Sequence, residues 1–309
     1  MSETASANVK TRFLVFSDTH GLDTPPNFVS RHYADVAIHC GDLTTESKID
    51  EYKASIRFLQ AVNAPLKLVI AGNHDFTLDT PMFQKKVAEA QPLDPQLVQK
   101  VYGNYEEARG LFEKETGITF LDEGIHSFRL QNGALLNVYA SPYTPSLGDW
   151  GFQYHPERGH DFRIENVDVV MTHGPPKGIM DYTHSGQRAG CPHLFKAIAR
   201  AQPRPLMHCF GHIHEGWGAK IVRWRQKVSL EPSHLTDIDN EKSVLLSRLS
   251  TIKGKGNPTE CSTTSNCSED HNPLKRGSET LFINAAIEGY EDPSIQPPWL
   301  VELELPAAA

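Results

Sequence analysis

The stretch Leu66 to Asp75 reads LKLVIAGNHD, a short β-favouring run that stops abruptly at Gly72-Asn73-His74-Asp75. A run of this length bounded by turn residues is the signature of a buried strand and is too brief for a helix. Working outward, four more runs have the same form. Arg12 to Ser17 (RFLVFS) stops at Asp18-Thr19-His20, and Asp35 to Cys40 stops at Gly41-Asp42. Val167 to Thr172 stops at His173-Gly174, and Pro205 to Phe210 stops at Gly211-His212, with His214 two residues further on. Between the second and third runs, Ser47 to Val62 carries apolar residues near helical spacing, and Tyr105–Glu115 and Pro192–Ala201 also read as helices. Strands alternating with helices predict an α/β core.

The chemistry lies in what ends the runs. Sheets of this class bind ligands outside the carboxyl ends of their strands. Five such ends bearing carboxylate, imidazole and amide groups would line one edge and enclose one or two metal ions. The set is mixed nitrogen and oxygen without thiolate, which suits Mn²⁺, Fe or Zn²⁺ better than a structural cysteine–zinc site. In Asp18-x-His20 and His212-x-His214 the side chains stand at i and i+2, so in extended chain both of a pair face one way. A lone histidine among 15 would say little. The conjunction of five strand ends, in order, carries the reading.

Composition sets the outer limits. The chain has 309 residues, with 30 Lys+Arg against 38 Asp+Glu for a net charge of −8. Hydrophobic residues at 39% and charged ones at 22% suit a folded protein rather than a disordered one. No run approaches the ~18–20 apolar residues of a membrane span, and no basic block favours a nucleic-acid polymer. MSETASANVK leads into no apolar signal stretch, and five cysteines without a C-x-x-C pair point to a reducing, cytoplasmic setting. Cys40 and Cys209 lie in apolar runs and read as buried. One segment breaks the pattern: residues 228–278 are rich in Ser, Thr, Asn, Asp, Lys and Pro, and read as an exposed, largely disordered insertion within a single domain spanning 1–309. Within it Ser243 to Leu249 reads as a short helix, and Cys261 and Cys267 as exposed thiols. Strands resume at Leu281–Ile287 and Trp299–Leu305.

In order, D-x-H (Asp18, His20), GD (Asp42), GNHD (Gly72 to Asp75), a lone strand-end histidine (His173) and GHxH (Gly211 to His214) resemble the calcineurin-like metallophosphoesterase superfamily. GDLT, LKLVIAGNHDFTLD, SPYTP, THGPPKGIMD and FGHIHEGWG are similar to its small cytosolic branch, the metallophosphoesterase-domain-containing proteins. The likeness spans about residues 12–226 and resumes at Ile283–Ala286. It implies a four-layer α-β-β-α sandwich of two mixed sheets with the site at the strand ends. It implies two divalent ions, manganese first, with iron, zinc or magnesium admissible. Asp18, His20, Asp42 and His214 would hold one ion and Asp42, Asn73, His173 and His212 the other, with Asp42 bridging. The implied reaction is attack by a hydroxide held between the ions, with His74 as general acid and Asp75 either orienting it or packing a turn. No position of the ligand set is substituted.

Protein phosphatases of the superfamily resemble GDxxDRG and RGNHE at two of these motifs. This chain reads GDLTTES and AGNHD, so the arginines that would clamp a dianionic monoester are missing. That tilts the expectation toward phosphodiesters, cyclic nucleotides among them, with a small-molecule phosphoester or nucleotide as partner. Ser141 to Gly159, which holds Tyr143, Trp150 and Tyr154, is expected to wall the pocket, Cys191 to be structural, and Trp217 to pack near the site mouth. Two alternatives stay open: the same metal site acting on a non-phosphate substrate, and a metal-binding interaction module.

Overall fold

The computed structural model describes residues 8–289 and 294–308; most of the N-terminal stretch read for a targeting signal lies outside them. The chain begins with β1 (Asn8–Phe16), α1 (Asn27–Arg31), β2 (Val36–His39), α2 (Ile49–Ala61) and β3 (Leu66–Val69). Three helices follow: α3 (Thr80–Glu89), α4 (Pro95–Tyr102) and α5 (Glu107–Glu113). Next come β4 (Ile118–Phe120), β5 (Gly124–Arg129), β6 (Leu135–Ser141) and a short parallel pair, β7 (Thr144–Pro145) with β8 (Gln153–Tyr154). The remainder is β9 (Val169–Thr172), α6 (Pro192–Arg200), β10 (Met207–Phe210), β11 (Gly218–Arg223), β12 (Val244–Arg248), β13 (Ser262–Ser265), β14 (Glu279–Asn284) and β15 (Trp299–Pro306).

These strands make two large mixed sheets. One has the order β13-β15-β1-β2-β3-β4 and the other β12-β11-β14-β10-β9-β6-β5. The neighbours β1, β2, β3 and β4 are parallel, as are β14, β10, β9 and β6. Alternation along each strand separates the layers despite the continuous apolar runs. Phe13 and Val15 face the core between the sheets with Met171, Cys209 and Ile283, while Leu14 and Phe16 face outward onto α1, α2 and α5. On the far side Val170, Phe210 and Phe282 pack against Leu194, Phe195 and Ile198 of α6. Helix, sheet, sheet, helix is the layer order.

The segment 228–278 departs from expectation. Val244–Arg248 is a strand rather than a helix, because the open edge of β11 offers its backbone partners and local sequence adds no helical repeat. β13 pairs with β15 in the other sheet, so the segment extends both. Cys261 and Cys267 are buried rather than exposed: Cys261 joins the outer cluster of the first sheet, and Asp270 accepts from the Cys267 amide at 2.6 Å. Cys40 and Cys209 are buried as well. Trp217 does not line a site mouth; it stacks on Trp299 at 5.3 Å in the core between the sheets, and its indole N–H donates to the Pro297 carbonyl. Among the described residues no helix is long and apolar enough to cross a membrane.

Two buried histidines set a pH dependence for the fold. His39 pairs with the Thr19 hydroxyl at 2.9 Å and His208 with the Thr172 hydroxyl at 2.8 Å, and burial pushes both pKa values down to about 3. In the unfolded chain each titrates near ~6.5. Their neutral forms therefore support the fold fully above pH ~6.5, and that support is lost as pH falls toward 3. Between pH 7 and 5 each histidine should cost about 2 kcal/mol of unfolding free energy. Urea unfolding of the chelator-treated protein at the two pH values measures the total change, to which His212, His173 and Asp75 also contribute, so the two histidines are isolated by variants. A His208→Phe variant should show a drop smaller by about 2 kcal/mol; an identical drop would remove His208 from the account.

Candidate metal centre

Each ligand-type residue sits within four residues of the end of a strand, where the chain leaves the sheet. Asp18, His20, Asp42 and His212 all do so with positive φ, at 55°, 44°, 52° and 66°. Non-glycine residues seldom adopt this region, and such strain collects at functional sites. Backbone bonds between the loops hold it in place: the Asp18 amide donates to the Gly41 carbonyl at 2.9 Å, His20 to Asp42 at 3.1 Å and Gly211 to His173 at 2.9 Å. The loop glycines are required by space. A Cβ on Gly72 would lie 2.2 Å from Asp42 Oδ1, and one on Gly211 would lie 1.9 Å from Asp18 Oδ2. Gly211→Ala should therefore displace the Asp18 carboxylate and lower metal retention, read as ions per chain after dialysis. Occupancy equal to that of the unaltered protein would contradict the packing argument.

The side chains converge as two adjoining groups. Asp18, His20 and His214 form one, Asp42, His173 and His212 the other, and within each the ligand atoms lie within 4.8 Å of one another. His214 Nε2 is 3.3 Å from Asp18 Oδ1, and His173 Nε2 is 3.2 Å from Asp42 Oδ2. Asp42 Oδ2 also lies 3.8 Å from His20 Nε2, so this carboxylate faces both groups. Asn73 Oδ1 lies 3.0 Å from His173 Nε2, which adds a neutral oxygen to the second group. The histidine orientations fit a metal. The Nδ1 atoms of His20 and His173 pair with the carbonyls of Thr44 and Cys40, at 3.0 and 2.9 Å. A carbonyl partner fixes the proton on Nδ1 and leaves the Nε2 lone pair for a cation.

The electrostatics agree. Burial works against ionisation of Asp18, but His214 holds it at about 2, and Asp42 is held below the ordinary carboxylate range by His173. Burial alone would lower His173, yet Asp42 and Asp18 raise it to about 9; burial and then His173 push His212 down to about 4. The carboxylates are ionised and the charge facing them is supplied by protonated imidazole. A divalent ion would displace those protons, since imidazole ligates in its neutral form.

His74 stands beside the first group, its ring edge-on to His20 at 4.9 Å. Its Nδ1 pairs with the Thr45 carbonyl at 2.7 Å, and Trp150 packs against its ring at 4.4 Å. Asp75 does not orient it. The Asp75 carboxylate, fully buried, accepts from the amides of Leu43, Thr44 and Gly72 at 3.0, 3.0 and 2.8 Å and from the Thr44 hydroxyl at 2.7 Å. Burial and Asp42 push its pKa up to about 6 while those donors favour the ionised form. Asp75 thus ties the Asp42 loop to the Asn73 loop.

Trp150 also walls a cavity of about 500 Å³ with Phe76, Phe83, Tyr102, Lys86 and Glu46. Of the aromatics expected to line the pocket, Trp150 reaches His74, whereas Tyr143 and Tyr154 stack on His160 at 4.6 and 5.2 Å. Cys191 is structural, its sulfur accepting from the Leu194 amide at the start of α6 and pairing with the Tyr154 hydroxyl. One residue at the site had no signal in the sequence. Glu288 brings a carboxylate 3.2 Å from His20 Nε2, because the Ile287 amide donates to the Ser17 carbonyl and lays the end of β14 along the end of β1.

A family model described as calcineurin-like phosphoesterase matches residues 11–216, two thirds of the chain and every ligand position above. The chain belongs to the calcineurin-like phosphoesterase family. Within it, the chain is 33% identical over 215 residues to metallophosphoesterase domain-containing protein 1 of Homo sapiens and of Mus musculus. That match covers 67% of this chain and 62% of each relative, so this chain spans about three fifths of their length. It is also 34% identical over 215 residues to a protein named probable rhamnogalacturonate lyase C in Emericella nidulans, covering 69% of this chain but 18% of that one.

Proposed function

We propose that this calcineurin-like phosphoesterase hydrolyses a phosphodiester of a small molecule or nucleotide with two divalent ions. The observation that carries the reading is the adjacency of the two ligand groups across Asp42, with His74 at their side. Asp18, His20, Asp42 and His214 would hold one ion, and Asp42, Asn73, His173 and His212 the other. When bound, the ions supply Lewis acidity toward phosphoryl oxygens and acidify a water that serves as nucleophile.

The chain's own residues do the rest. His74 has its ring beside His20 and its Nδ1 paired with the Thr45 carbonyl, which leaves Nε2 as the nitrogen that would donate. As imidazolium it gives the Nε2 proton to the departing oxygen, so that one N–H bond breaks and one O–H bond forms while the Nδ1–H stays in place. Trp150, packed on the His74 ring and also one wall of the neighbouring cavity, offers an aromatic face on which a planar leaving group would stack. Diester preference is supported by the residues around the site: Glu46 and Ala71 occupy the two positions where phosphate-clamping arginines would stand, and Glu288 adds negative charge.

The test is the metal count per chain together with turnover of bis-p-nitrophenyl phosphate and p-nitrophenyl phosphate in Mn²⁺. Two ions and faster diester cleavage are expected. A preference for the monoester would overturn the substrate assignment, and two ions with neither ester cleaved would move the site to a non-phosphate substrate.

A further inference from the structure

We propose that Glu288 is a further carboxylate ligand at the first metal position, a role that rests on the two-ion reading above. Three observations carry it. The first is distance. Glu288 Oε2 stands 3.2 Å from His20 Nε2, the ring atom left facing the site once Nδ1 is taken by Thr44. The pairs Asp18–His214 and Asp42–His173 are spaced at 3.3 and 3.2 Å. Two donors each about 2.1 Å from one ion and roughly at right angles lie about 3 Å apart, so all three pairs have the spacing of atoms sharing a cation.

The second is a rigid backbone. The Gln296 amide donates to the Ile287 carbonyl at 2.6 Å, the Gly289 amide to the Ser294 carbonyl at 3.0 Å, and Glu288 bridges to Ile295. The Gln296 side chain donates to the carbonyls of both Glu288 and His214, at 3.4 and 3.3 Å. Glu288 is thereby joined to the GHIH loop that it would serve. The third is charge. Besides the shared Asp42, the first group holds Asp18 as its one carboxylate; Glu288 stands just outside that group on the half-exposed side, with Oε2 3.8 Å from His214 Nδ1, and would reach the ion by turning its side chain inward. A second unshared carboxylate adds a hard oxygen donor, which favours Mn²⁺ or Mg²⁺ over Zn²⁺.

The experiment is calorimetric titration of the chelator-stripped full chain with Mn²⁺, for the unaltered protein, Glu288→Gln and Glu288→Asp. The side chain is 48% exposed, so folding of the metal-free variants should match that of the unaltered chain by circular dichroism. The unaltered protein should take up two ions. Glu288→Gln should weaken one site ~10–100-fold and leave the other unchanged. Glu288→Asp, which keeps the charge but withdraws the oxygen, should weaken the same site comparably. Superimposable titrations of Glu288→Gln and the unaltered chain would overturn the ligand role while the two-ion reading stands. Full affinity in Glu288→Asp with loss in Glu288→Gln would also overturn it, reducing Glu288 to a source of charge. Fewer than two ions in the unaltered protein would instead overturn the two-ion reading itself.

Discussion

Asp42→Ala should lose both ions and with them turnover, by ~10³ or more. Asp42 faces both groups, with Oδ2 3.2 Å from His173 Nε2 and 3.8 Å from His20 Nε2, so no other single side chain removal opens two coordination spheres at once. Its other oxygen accepts from the His74 amide at 2.8 Å, so the alanine also frees the loop that carries the proposed acid. Asp42→Asn separates the two effects: it keeps an oxygen for the His74 amide but removes the negative charge. Both variants should bind Mn²⁺ at least ~100-fold more weakly at each site, beyond what a change outside the ligand sphere costs. Metal analysis after dialysis checks this directly. An Asp42→Ala protein that retains two ions would contradict the shared-carboxylate assignment.

His74→Asn should behave oppositely with respect to metal. No ligand is removed, so two ions should remain, while turnover falls ~10²–10⁴ as general acid catalysis is lost. The size of the fall should depend on the leaving group. A phenolate that departs readily needs little protonation, whereas an alkoxide such as a ribose oxygen needs nearly all of it. The measurement is kcat for a series of diesters with leaving groups of rising pKa, compared between the two proteins. Equal ratios across the series would exclude His74 as the acid. Trp150, packed 4.4 Å from the ring, offers a second handle: its loss should raise KM more than it lowers kcat.

The candidate ligand residues stand out in the sequence because each is announced by a local change of chemistry. Asp18, Asp42, Asn73, His173 and His212 all end buried apolar runs, and a strand end is a place that one sequence can mark unaided. Their grouping follows from parallel pairing of β1, β2 and β3 and of β9 and β10, which the α/β alternation predicts. What was not legible is non-local. Glu288 lies in an ordinary acidic loop and reaches the site only through the contact of Ile287 with Ser17. Asp75 reads in sequence as either a partner for His74 or a turn residue, and its buried carboxylate takes the second role because most of its donors come from the neighbouring loop. Trp217 was drawn toward the site by its sequence distance from His214, whereas strand alternation turns it into the core. The helices α3 and α4 are not read from the sequence: α4 has no buried residue to give an apolar rhythm, and their signals are only the caps Asp79 and Asp94 before proline-bearing first turns.

The segment 228–278 joins the antiparallel neighbours β11 and β14, and it ends up covering one border of each sheet. With β12 and β13 in place, the outermost rows of backbone amides and carbonyls belong to two short, polar-flanked strands. Cutting the segment away would make β11 and the long β15 the new borders, leaving extended rows of unpaired donors and acceptors open to other molecules. A shortened chain would thus retain every candidate ligand and yet present two bare strand borders of the kind that pair with other chains.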